Sequence, residues 1–91
     1  MDIKAAIKFL SSKIKQEGTR SDTGVVLVRT RADLKSKDFV PTPEWLSTFD
    51  DELYRATTEG TDYGDYDWTS EIKETLQEYL DITDEQMEEL Y

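Results

Sequence analysis

The chain contains no cysteine and no histidine. Those two absences exclude disulfides, thiolate nucleophiles, imidazole bases and the usual zinc and haem ligand sets together. They also leave redox chemistry silent about compartment. Long apolar runs are missing too: residues 3–10 are interrupted by Lys4 and Lys8, and nothing approaches the roughly 20 residues that a membrane span requires. The expectation is a soluble, cytoplasmic protein that does not engage membranes. Basic residues are scarce in one half only. Residues 1–41 hold nine Lys and Arg against five Asp and Glu, net +4, whereas residues 42–91 hold two bases against sixteen acids, net −14.

What is present is one domain of 91 residues with a formal charge of −10. A chain of this size buries roughly 60 to 65 per cent of its unfolded surface, enough for one modest core. A surface so acidic repels nucleic acid, so direct nucleic-acid binding is not expected and charged partners should be basic. Salt adaptation would spread acids over the whole surface; their segregation into residues 42–91 argues for an interaction surface.

Taken in order, Ile3, Ala6, Ile7, Leu10 and Ile14 recur at helical spacing, and predict an amphipathic helix over 2–17 capped by Asp2 and ended by Gly18. Residues 19–24 read as a turn. Val25-Val26-Leu27-Val28-Arg29-Thr30-Arg31 is rich in β-branched residues and reads as a strand, with the alternation Val25, Leu27, Arg29, Arg31 turning one face cationic. Its partner strand would come from residues 38–40, from residues 63–68, or from a second copy of the chain, the last making a homodimer one way to cover the strand edge. Thr42-Pro43-Glu44 is a helix start, with Thr42 as N-cap, and Trp45 or Leu46, Phe49, Leu53 and Ala56 supply the buried stripe of a helix reaching Thr58 and closed by Gly60. A further helix is expected from a cap at Thr69 or Ser70, with Ile72, Leu76, Tyr79 and Leu80 facing the core. Thr83-Asp84-Glu85-Gln86 reads as a capping box that starts a last short helix or continues a bent one. The predicted fold class is therefore α+β: three to four helices with a small antiparallel sheet built around strand 25–31.

Chemistry concentrates in the second half. On helical geometry Glu71, Glu74, Glu78, Asp81, Glu85 and Glu88 follow spacings of three and four. In one continuous helix they form a row about 26 Å long with a carboxylate about every 5.4 Å, comparable with the roughly 3.4 Å axial step of nucleic-acid phosphates. Such a row costs about 0.2 to 0.5 kcal/mol per neighbouring pair, so stability gives no reason for it. Asp50, Asp51 and Glu59 add acids from a second segment, and Asp62-Tyr63-Gly64-Asp65-Tyr66-Asp67-Trp68 interleaves acids with aromatics. Tyr63 and Tyr66 between carboxylates suit Arg and Lys through cation–π contacts and charged hydrogen bonds. A calcium loop counted from Asp65 fails, since its sixth and twelfth places are Ser70 and Leu76. No nucleophile, phosphate loop or pocket signature is present, so the chain reads as a non-enzyme that needs no cofactor or metal.

In size, charge and polarised acidity, residues 44–91 resemble the small DNA-mimic inhibitors that phages encode against restriction enzymes, CRISPR effectors and other DNA-binding enzymes. The resemblance implies that the carboxylates stand in for phosphates inside the basic nucleic-acid channel of a DNA-binding protein or nuclease complex. It implies also that Tyr63, Tyr66 or Trp68 packs on arginines, that a dimer would double the acidic surface, and that a phage-encoded chain would work in the host cytoplasm. Acyl carrier proteins are similar in length and acidity but carry an Asp-Ser-Leu motif, and every Asp here is followed by a residue other than Ser. The alternative to mimicry is an acidic adaptor that binds a basic protein beside its nucleic acid.

Overall fold

The computed structural model describes residues 1–58 and 66–90. Among these residues five helices follow one another: α1 (Ile3–Glu17), α2 (Asp22–Lys35), α3 (Pro43–Thr58), α4 (Tyr66–Tyr79) and α5 (Asp84–Glu88). α1 packs on α2, α2 on α3, α3 on α4 and α4 back on α1, while α5 lies against α3. The four longer helices thus close a ring around one cluster that includes Leu10, Leu27, Leu46, Leu53, Ile72 and Leu76, each fully buried.

α1 forms as its spacing predicts. Asp2 caps it by accepting from the Ala5 N–H at 3.0 Å, Ala6, Leu10 and Ile14 are buried, and Gly18 ends it at φ +83°. α3 likewise begins at Pro43 with the Thr42 hydroxyl accepting from the Trp45 N–H at 3.1 Å, and buries Leu46, Phe49, Leu53 and Ala56. The predicted Gly60 terminus lies outside the described residues.

The α+β expectation is wrong. Residues 25–31 are helical, lying inside α2, and there is no strand among the described residues, residues 38–40 included. The argument for a homodimer through strand pairing falls with the strand. Two features decide the conformation. Ser21 caps the helix by accepting from the Gly24 N–H at 2.9 Å, with Asp22 in the first turn beside the positive end of the dipole. The buried stripe is then Thr23, Val26 with Leu27, Thr30 and Leu34, a helical repeat in which threonines fill two of the places. Thr30 enters the core because its hydroxyl donates to the Val26 carbonyl at 2.8 Å, the back-bond open to Thr in a helix. Val25, expected on the apolar face of a strand, is instead 51% exposed. Burial of one helical face outweighs the modest intrinsic cost of β-branched residues in a helix.

α4 starts earlier than the expected cap at Thr69 or Ser70. Its first residue is Tyr66, and Thr69 is buried inside it. The capping box at Thr83 is present in both directions, Thr83 Oγ1 accepting from the Gln86 N–H at 3.1 Å and Gln86 Oε1 from the Thr83 N–H at 2.8 Å.

Candidate acidic interface

α4 and α5 are two helices, not one. Asp81 adopts φ +56°, and the Ile82 N–H donates to the Gln77 carbonyl at 3.1 Å, a six-to-one closure of the kind that ends a helix around a left-handed residue. Ile82 is then buried, which anchors the joint to the core. The single continuous row of carboxylates accordingly divides. Glu71, Glu74 and Glu78 stay one turn apart along α4, Asp81 sits in the joint, and Glu85 and Glu88 continue on α5. All six are exposed.

Their opposite faces explain that exposure. Ile72 and Leu76 bury one side of α4, with Leu80 buried just past its end, and Met87 buries one side of α5, leaving the acids outward. Between the helices, Glu74, Glu78 and Asp84 surround a shallow recess of about 260 Å³ floored by Ile82, with the Gln77 amide donating to Asp84 at 2.7 Å. On α3, Asp51 is exposed and Asp50 half-buried. Tyr66 and Asp67 fall in the first turn of α4. Glu59, Asp62, Tyr63 and Asp65 lie outside the described residues. The structure therefore brings Glu74, Glu78 and Asp84 together around one recess, leaves Glu71 exposed on α4 and Glu85 and Glu88 exposed on α5, which packs on α3, and leaves the acid–aromatic stretch before Tyr66 undescribed.

The bases of the first half neutralise little of this charge. Among the described residues there are two ion pairs, Arg29 with Glu52 and the Met1 amine with Asp81 at 2.6 Å. Hydrogen bonding to Asp81 and its charge raise the Met1 amine above its ordinary 8.0. Glu71, Glu74, Glu78, Glu85 and Glu88 take part in neither pair.

Asp50 differs from the other acids. Burial pushes its carboxyl above the ordinary 3.8; Lys73 across the α3–α4 contact opposes that shift, and Asp51 adds to it. A carboxyl whose folded pKa exceeds its unfolded one favours the folded state while protonated. That contribution is complete below the unfolded value and is lost as pH rises through the folded one. Asp50→Asn, which stays neutral, should therefore be more stable than the parent protein at neutral pH, with the gap closing as pH falls towards 3.8. Urea unfolding of both proteins across this range checks it, and an Asn variant no more stable at pH 7 would contradict the assignment.

Among the described residues no cluster of His, Cys, Asp or Glu has the geometry to hold a metal ion, and no helix is long and apolar enough to cross a membrane. Comparison of the chain with protein-family models, with curated proteins and with solved structures found no match.

Proposed function

We propose that this chain is a non-enzymatic inhibitor that occupies the basic nucleic-acid channel of a DNA-binding protein, such as a restriction or CRISPR effector complex, with the carboxylates of α4 and α5 standing in for phosphates. One observation carries the reading. A domain with nine bases in its first 41 residues leaves Glu71, Glu74, Glu78, Glu85 and Glu88 exposed and outside its ion pairs. Carboxylates aligned one turn apart repel each other, so their arrangement is explained by a cationic partner better than by folding.

The bend at Asp81 favours a second reading, the acidic adaptor. It breaks the regular rise that a straight duplex backbone would show, and an adaptor needs no such regularity.

Competition against a panel of DNA-bound effector complexes separates the two. Mimicry requires stoichiometric displacement of DNA that weakens steeply with salt; binding with the DNA left in place would establish the adaptor and sink the mimic. The triple variant Glu71→Gln, Glu74→Gln, Glu78→Gln should lose inhibition by at least about tenfold while gaining a few tenths of a kcal/mol in stability as like-charge repulsion is relieved. Inhibition that survives this change would move the interface off α4.

A further inference from the structure

The corner where α2 hands over to α3 carries a feature that the acidic face does not explain. Phe39 and Trp45 meet edge to face, 4.9 Å between centroids and 72° between planes, and form two walls of an open recess of about 310 Å³. Asp33, Ser36, Asp38 and Val40 complete its lining, and Val40 is 67% exposed. Neither Asp33 nor Asp38 belongs to an ion pair among the described residues.

The walls are held in place. Trp45 stacks on the buried Phe49 with 6.1 Å between centroids and 9° between planes, and its indole N–H points to Asp33 Oδ2 at 3.4 Å. Thr42 fixes its backbone through the helix cap, and the Phe39 N–H donates to the Ser36 carbonyl at 3.3 Å. A smaller recess of about 100 Å³ shares Trp45 and Asp33, and there Arg29 meets the carboxylate of Glu52. The larger recess has the same complement of indole and carboxylates without a basic residue among the described residues of its lining.

We propose that this recess binds an arginine side chain of a partner protein, its guanidinium lying against Phe39 and Trp45 and its charge met by Asp33 and Asp38. An edge-to-face aromatic pair lining one recess with two carboxylates offers the cation–π contact and the charged hydrogen bonds that a planar cation seeks. Arginine fits better than lysine because its weakly hydrated, flat head stacks on indole and its methylene stem can cover Val40. The site is independent of DNA mimicry, since an inhibitor or an adaptor could be anchored through it.

The test is an NMR titration of the whole chain with blocked Gly-Arg-Gly, following the Trp45 indole N–H. A saturable shift is expected, at least about fivefold weaker with the citrulline tripeptide and in the double variant Asp33→Asn, Asp38→Asn. The amide oxygen introduced by Asp33→Asn can still accept from the indole, so the fold and the Trp45 orientation are retained. The α4 triple glutamine variant should bind the tripeptide as the parent does, and about 0.5 M salt should weaken the recess less than the α4 surface. No saturable shift, equal binding of citrulline, or loss on neutralising α4 alone would each overturn the proposal. DNA displacement reads the acidic face separately, so failure here and failure there are distinguishable.

Discussion

Gly24→Ala is expected to lower the unfolding free energy by about 2 to 3 kcal/mol, although alanine is the better helix former by roughly 1 kcal/mol in an ordinary helix. Gly24 lies in the first turn of α2, where the end of α1 passes close by. A β-carbon there would sit 1.9 Å from the Gly18 carbonyl oxygen and 3.0 Å from both the Gly18 carbonyl carbon and the Ser21 hydroxyl. The first obstacles are backbone, which no rotamer change can clear, so the turn between α1 and α2 must open. The Ser21 cap on the Gly24 N–H is strained by the same movement. Val25→Ala is the control, because that side chain is 51% exposed and its loss should change stability by a few tenths of a kcal/mol, in the stabilising direction. Urea unfolding followed by circular dichroism reads both. A Gly24→Ala protein as stable as the parent would mean that α1 and α2 do not approach as described.

The largest effect should come from Leu53→Ala, at about 3 to 5 kcal/mol. Leu53 is fully buried on α3, the helix that packs on α2, α4 and α5. Truncation there removes contacts in the middle of the ring and leaves a cavity that long helices collapse into poorly. Against a total of about 5 to 10 kcal/mol for a domain of this length, the variant loses roughly a third of its stability or more. It should show an early urea midpoint with an unchanged slope. Leu53→Met, which nearly conserves volume, should cost less than about 1.5 kcal/mol and retain binding. A loss below about 1 kcal/mol for the alanine variant would place Leu53 at the surface and not in the core.

Where one face was plainly apolar and one plainly charged, the sequence was readable. α1, α3 and the Thr83 box announced both their caps and their stripes. α2 did not, for a specific reason: two of its core positions are Thr23 and Thr30, which count as polar in any apolar pattern, while exposed Val25 counts as apolar. Removing two true positions and adding a false one converts a helical repeat into apparent alternation. Asp81 was hidden because a left-handed aspartate carries no sequence mark comparable to glycine, so the split between α4 and α5 showed only through the capping box that follows.

The candidate surface divides the same way. Exposure of the α4 and α5 acids followed from their position opposite Ile72, Leu76 and Met87. Half-burial of Asp50 did not, since it needs the placement of α4 across from α3. The aromatic corner was missed because Trp45 reads as a core residue beside Phe49, and Phe39 falls in residues 38–40, which read as a candidate partner strand. Their edge-to-face meeting depends on a turn between two helices that no local pattern encodes.

The backbone of Asp2 donates to the carbonyl of Tyr79 at 2.8 Å, joining the start of α1 to the end of α4. Among the described residues the other packed pairs are successive helices, apart from α5 on α3. In kinetic terms the ring has one expensive seam. Adjacent helices can pair quickly through short loops, but docking α1 on α4 must close nearly the whole chain and bears its loop entropy. Until that seam shuts, successive helices can already pack, α2 on α3 bringing Arg29 to Glu52, whereas the Met1 amine reaches Asp81 only when the start of the first helix meets the end of the fourth.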